Sequence, residues 1–68
     1  MEYIYVLFLA EYTSNWENVK IYTNEKSAIH ASVQYPNCHV EIFEKSTDGS
    51  FEPSLNYYHC GILITPYN

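Results

Sequence analysis

The sequence predicts one small α+β domain: a four-stranded, mostly antiparallel sheet in the order β-β-α-β-β, with one helix packed on one face. The chain has 68 residues, and a chain this short buries only about 60% of its unfolded surface, so no second domain fits. Apolar residues make up 47% of the chain and aromatic residues 18%, a composition typical of a globular core with large side chains. A single stretch of helical period lies between stretches that alternate like strands, which predicts the order of the elements.

The two opening strands are predicted from their aromatic and β-branched residues. Residues 2–11 form a long first strand. A polar connection follows, and VKIY at residues 19–22 forms a short second strand.

A short helix follows the second strand. Thr23 or Asn24 caps its start, and Glu25 in the first turn is stabilised by the positive end of the helix dipole. The helix ends at about Gln34, because the residue before Pro36 disfavours the helical conformation. Helical spacing places Ala28, Ile29, Ser32 and Val33 toward the sheet, and His30 and Gln34 on the other side.

Two further strands complete the domain. CHVEIFEK at residues 38–45 alternates as a third strand, and Asp48-Gly49 is a turn signal. Pro53 indicates a bulge, and residues 56–64 form one last strand.

The net charge of the chain restricts the classes of partner that we expect it to bind. Eight acidic residues stand against three lysines and no arginine, and the net charge is −5, so we expect no direct binding of nucleic acid. An acidic chain suits a basic protein partner. The apolar run YIYVLFLA has only eight residues before Glu11, so we expect neither a signal peptide nor a membrane helix. We therefore expect the protein to be cytoplasmic.

A second apolar face of the sheet is the feature that points to a function. Both sides of the first strand are apolar, and one helix covers only one face. We expect the helix side to hold Val19, Ile21, Val40, Ile42, Cys60 and Ile62. Aromatic anchors for a protein partner on the other face are predicted at Tyr3, Tyr5, Tyr22, Phe43 and Tyr57, with Leu63 beside them and a charged rim at Glu2, Glu11, Glu41 and Glu44.

Two alternatives remain for this face. The connection at residues 45–56 or the loop around Trp16 covers it as a second small core. Otherwise the face joins two copies in a homodimer, because marginal small domains often gain stability by self-association.

The segments NCHV and NYYHCG carry mirrored cysteine–histidine pairs. If Cys38 lies opposite Cys60, then His39 lies opposite His59, although a two-residue turn at Asp48-Gly49 gives a register one residue different. Alternation sends cysteines and histidines to opposite faces, so the four do not converge on one metal ion. We expect both cysteines to be small buried residues, with a disulfide only in an oxidising compartment. A metal or small-ligand site at a subunit interface, through His39 and His59, is a third alternative.

No catalytic constellation is visible. Neighbouring Cys and His side chains on a strand point apart, and the chain has only two glycines and no phosphate-binding loop. We therefore expect no enzyme and no cofactor.

A resemblance adds an expected setting. YIYVLF, a polar loop and VKIYTNEKSAIHA resemble the opening of small uncharacterised phage and bacterial proteins of β-β-α-β type, over residues 3–44. The resemblance implies an accessory protein of a phage or mobile element that binds and blocks host defence or transcription machinery in the host cytoplasm, in an anti-CRISPR-like way. It carries no catalytic residue to this chain.

Overall fold

The computed structural model describes residues 2–9 and 19–67. Within them the chain is an α+β domain in which one helix packs against a five-stranded sheet. The elements are β1 (Tyr3–Phe8), β2 (Val19–Tyr22), α1 (Glu25–Gln34), β3 (Val40–Lys45), β4 (Phe51–His59) and β5 (Ile62–Ile64). The strands lie in the order β2-β1-β3-β4-β5, and every neighbouring pair is antiparallel.

Both predicted ends of α1 are confirmed. Asn24 is the cap: its side-chain oxygen accepts a 3.2 Å hydrogen bond from the Ser27 backbone N–H. This bond satisfies one of the N–H groups that have no partner at a helix start. At the other end the Tyr35 backbone N–H still donates to Ala31 O at 3.0 Å, and Pro36 follows.

The prediction of one last strand over residues 56–64 is wrong, because a tight turn divides it. Cys60 and Gly61 both have positive φ, 51° and 82°, as the two central residues of a type I′ hairpin turn do. The turn joins β4 to β5, so the sheet has five strands instead of four. β4 also begins earlier than predicted, at Phe51.

The hairpin between β3 and β4 contains the expected turn and the expected bulge. Gly49 adopts φ +89°, and Ser46 N donates to Ser50 O at 2.7 Å. The register shifts between Glu41 and Phe43, which lie opposite Tyr57 and Pro53. β4 therefore holds extra residues at this point, as a bulge does.

Leu55, at the bulge, has φ +72°. The Ser54 hydroxyl donates to Ile42 O at 2.7 Å and accepts from Asn56 N at 3.2 Å. These two bonds replace ladder bonds that the bulge removes.

The core lies between α1 and one face of the sheet. Leu7 and Val40 are fully buried there, and Tyr5, Ile42 and Tyr58 complete the sheet side. From the helix come Ala28, Ala31 and Ser32, with Ile29 partly buried. The predicted stripe is thus wrong at Val33, which is 56% exposed, because the helix is rotated so that Ala31 faces the sheet instead.

Candidate functional site

The register between strands decides which side chains share the covered face. Tyr5 lies opposite both Tyr22 and Ile42, and residues directly opposite one another project from the same face. Since Ile42 and Tyr5 belong to the core cluster under α1, Tyr22 projects toward the helix as well. A second row on this face consists of Lys20, Leu7, Val40, Tyr58 and Leu63.

The predicted set of aromatic anchors is therefore divided between the two faces. Tyr3, Tyr5 and Tyr22 lie on the helix side together with Leu63, and Tyr5 is a core residue at 7% exposure. Phe43 and Tyr57 lie on the other face, as predicted. The prediction joined the tyrosine side of β1 to the Phe43 side of β3, but the register pairs Tyr5 with Ile42, which places these two sets on opposite faces.

The face of the sheet away from α1 is called the second face here. One complete row across it consists of Ile21, Val6, Glu41, Tyr57 and Ile64. Above and below this row it also carries Ile4, Phe8, Val19, Phe43 and Ile62. The expectation that Val19, Ile21 and Ile62 line the helix side is wrong for the same reason of register, whereas Val40 and Ile42 are placed as predicted.

Exposure on the second face is highest at its margins. Ile21 on β2 and Ile62 on β5 are 62% and 63% exposed, and Phe8 is 49% exposed. Val6, on the inner strand β1, is buried. Of the helices and strands in residues 2–9 and 19–67, none packs on this face. The predicted cover by residues 45–56 is wrong, since residues 51–56 are part of β4, while the Trp16 loop lies outside the described residues.

A polar group occupies the middle of the second face. The His39 ring nitrogen Nε2 lies 2.8 Å from Glu41 Oε2. The His39 and Tyr57 rings are in contact, with centroids 4.5 Å apart. Tyr57 is thereby held beside a carboxylate and an imidazole, which gives the apolar surface a hydrogen-bonding centre.

The predicted acidic rim is dispersed. Glu2 is exposed and pairs with Lys45 at 3.4 Å, an exposed contact of small energetic value. Glu41 belongs to the second face, whereas Glu44 lies opposite Tyr3 and projects to the helix side. Glu11 lies outside the described residues.

The mirrored cysteines and histidines have separate environments. Val40 lies opposite Tyr58 and Glu41 opposite Tyr57, which is the register in which Cys38 would face Cys60. Cys38 is buried as predicted, but the prediction for Cys60 is wrong, because Cys60 is exposed in the β4–β5 turn.

Neither histidine of the mirrored pairs lies in a metal centre. His59 Nε2 lies 3.1 Å from Pro36 O, and His39 contacts Glu41. Over residues 2–9 and 19–67, no group of three or more His, Cys, Asp or Glu side chains is placed to hold a metal ion.

A cleft lies on the helix side of the sheet, between the start of α1 and strands β1, β3, β4 and β5. We call it the tyrosine cleft; its volume is about 250 Å³. It is lined by Tyr3, Tyr5, Glu25, Ile42, Glu44, Ser54, Asn56, Tyr58 and Leu63. The Tyr58 hydroxyl donates a 2.7 Å hydrogen bond to Glu25 Oε2. The ring centroids of Tyr5 and Tyr58 lie 6.3 Å apart.

Two phenols of the tyrosine cleft are held in their neutral form. Burial, then the hydrogen bond to Glu25 and its negative charge, raise the pKa of Tyr58 to about 12. Burial and the charge of Glu25 also raise the pKa of Tyr5. The cause is common to both, since a phenolate would be poorly hydrated and would lie beside a carboxylate.

Sequence reasoning missed this cleft. The sequence predicts Glu25 only as a residue of the first helical turn and assigns no role to Tyr58. The alternation in NYYH places Tyr57 and Tyr58 on opposite faces, but only the strand register shows that Tyr58 lies beneath Glu25.

Comparison with known proteins gives this chain no relative. No family model matches it, no curated protein is similar to it, and no solved structure matches it. The single helix among the described residues has ten residues, which is too few to cross a membrane.

Proposed function

We propose that this protein acts by binding another protein through the second face of its sheet, and not by catalysis. One observation supports the proposal: the second face carries large apolar side chains, and Phe8, Ile21 and Ile62 keep about half of their surface or more exposed to solvent. Large apolar side chains exposed on a sheet face that no described helix or strand covers typically mark an interaction site. Phe43 and Tyr57 are its aromatic anchors.

The charge of the chain indicates the kind of partner. The net charge is −5, and Glu41 lies in the middle of the second face. A partner with a basic centre and apolar side chains around it complements this surface, and opposite charges accelerate the encounter.

In its fuller form, the proposal makes the protein a phage- or mobile-element-type inhibitor, anti-CRISPR-like, of a host defence or transcription complex in the host cytoplasm. This part rests on the resemblance of residues 3–44 and not on the geometry of the fold.

The test is a comparison of proteins retained from a bacterial lysate by immobilised wild-type protein and by two variants. The double variant Ile21→Lys/Ile62→Lys places charges at both margins of the second face. Val33→Lys is the matched control, because Val33 is equally exposed but lies on the helix. We expect a basic protein that wild type and the control retain and the double variant loses. Equal retention by all three would refute the proposal.

A second candidate is a self-assembling module whose second face is its homodimer interface. The same exposed isoleucines favour it, since two copies would bury them together. Sedimentation across micromolar concentrations distinguishes the two: a dimer that Ile21→Lys/Ile62→Lys converts to a monomer supports self-assembly, whereas a wild-type monomer excludes it.

A further inference from the structure

The tyrosine cleft is a site separate from the second face, and its walls have a distinct chemistry. Tyr3, which is 39% exposed, forms part of the wall beside the largely buried Tyr5 and Tyr58, and Glu25 and Glu44 line it as well. Glu25 is exposed and Glu44 is half-buried, so the cleft is accessible from solvent. Aromatic faces and carboxylates are the groups with which proteins hold organic cations.

The chain supplies no positive side chain to this cleft. All of its lysines and histidines lie within the described residues, and none of them lines the cleft. Lys26 and His30 line a groove on the other flank of α1. Lys45 pairs with Glu2, and Lys20 lies on the outer strand β2.

The carboxylates near the cleft also repel one another. Glu44 lies directly opposite Glu52 on the neighbouring strand. Like charges in this position destabilise a sheet, and none of the lysines and histidines, all of which the structure describes, forms an ion pair with either residue. A cation from outside the chain would offset this repulsion at Glu44.

We propose that the tyrosine cleft binds an alkyl guanidinium group, the group carried by an arginine side chain. A flat guanidinium stacks on tyrosine rings and donates two parallel hydrogen bonds to a carboxylate, which a spherical ammonium does not do. Glu44 is its main carboxylate partner, because one oxygen of Glu25 already accepts from Tyr58.

The size and polarity of the cleft agree with this ligand. At about 250 Å³ it is smaller than the roughly 300–1,000 Å³ of clefts that hold drug-sized ligands. It suits a single side chain. Burial and the negative charge of Glu25 raise the pKa of Tyr5 and Tyr58, and the same charge repels anions such as phosphate.

The test is an NMR titration of the full chain at neutral pH with butylguanidinium chloride. We expect the signals of Tyr5, Tyr58 and Glu44 to shift together, and the affinity to fall as salt is added. Glu44→Gln should weaken binding about threefold or more, the loss expected for a partly exposed ion pair. This variant should stay folded, since it removes the repulsion with Glu52.

Glu41→Gln is the matched control, because it makes the same change on the same strand but on the second face. It should bind as wild type does. The proposal is wrong if butylguanidinium shifts no signal in the cleft, if Glu44→Gln binds it as tightly as wild type, or if butylammonium binds equally well. A short arginine-containing peptide separates the sources: its binding supports an arginine of another protein, and binding of butylguanidinium alone supports a free small guanidine compound.

Discussion

The contact between Tyr58 and Glu25 gives the sharpest stability prediction, through the substitution Tyr58→Phe. Tyr58 is 6% exposed, and its hydroxyl donates a 2.7 Å hydrogen bond to the carboxylate. At neutral pH the substitution removes this bond and leaves Glu25 in contact with water. We expect a loss of about 1 kcal/mol in the free energy of unfolding.

The pH dependence of this difference tests the cause. The pKa of Tyr58 rises from 10.0 to about 12 in the folded protein. Because the folded-state pKa is the higher one, the stabilisation is complete below pH 10 and is lost as the pH rises through about 12. A rise of about two pKa units corresponds to roughly 2–3 kcal/mol, more than the cost of the substitution at neutral pH, so the order of stability reverses.

The assay is denaturant unfolding of wild type, Tyr58→Phe, Glu25→Gln and the double variant. The other tyrosines are common to wild type and Tyr58→Phe, so the difference between the two isolates Tyr58. We expect a coupling energy between the two sites of about 0.5–1 kcal/mol at neutral pH. A difference that stays constant from pH 10 to 12 would refute the reasoning.

Three further predictions concern the bulge in β4 and the turns that join β3 to β4 and β4 to β5. Leu55→Gly should raise the free energy of unfolding, measured with denaturant, by about 0.5–1 kcal/mol. Leu55 is 52% exposed and has φ +72°, a conformation that costs a residue with a side chain more than it costs glycine. A lower free energy of unfolding would mean instead that the leucine side chain stabilises the bulge. Ser32→Ala should lower the free energy of unfolding by about 1 kcal/mol and the melting temperature with it. The buried Ser32 hydroxyl accepts a hydrogen bond from Gly61 N at 2.9 Å and donates one to Ile29 O at 2.7 Å, and the substitution removes both. An unchanged melting temperature would contradict this. Hydrogen bonds from Ser46 and Ser50 lower the pKa of Asp48 to about 2. The stability that the Asp48 carboxylate contributes is therefore present above pH 3.8 and lost as the pH falls through about 2. Asp48→Asn should remove this loss in an acid titration followed by circular dichroism, and an acid unfolding curve identical to that of wild type would contradict it.

The local elements could be predicted from the sequence because short-range signals specify them. Asn24 and Pro36 mark the ends of α1, and Asp48-Gly49 marks a turn, each through the conformations that one or two residues allow. The turn at Cys60-Gly61 escaped prediction, since cysteine is not a typical residue at positive φ and the apolar pattern continues across the turn.

The division of residues between the two faces could not be predicted, because β1, β3 and β5 carry apolar side chains on both sides. A shift of one residue in register moves a strand's side chains to the opposite face, and only polar alternation would reveal it. Tyr5 and Phe43 illustrate this: either residue fits a core, and the pairing of Tyr5 with Ile42 decides between them. The tyrosine cleft depends on the same register and on the bulge at Leu55.

The most direct test of the second face as the binding surface is a methyl NMR titration of isoleucine-labelled protein with the purified partner from the retention experiment. Isoleucines report on both sides of the sheet. Those on the second face are Ile4, Ile21, Ile62 and Ile64, and those on the helix side are Ile29 and Ile42. Shifts or broadening confined to the first group are the predicted result. Shifts confined to Ile29 and Ile42, with the second-face methyls unchanged, would contradict it.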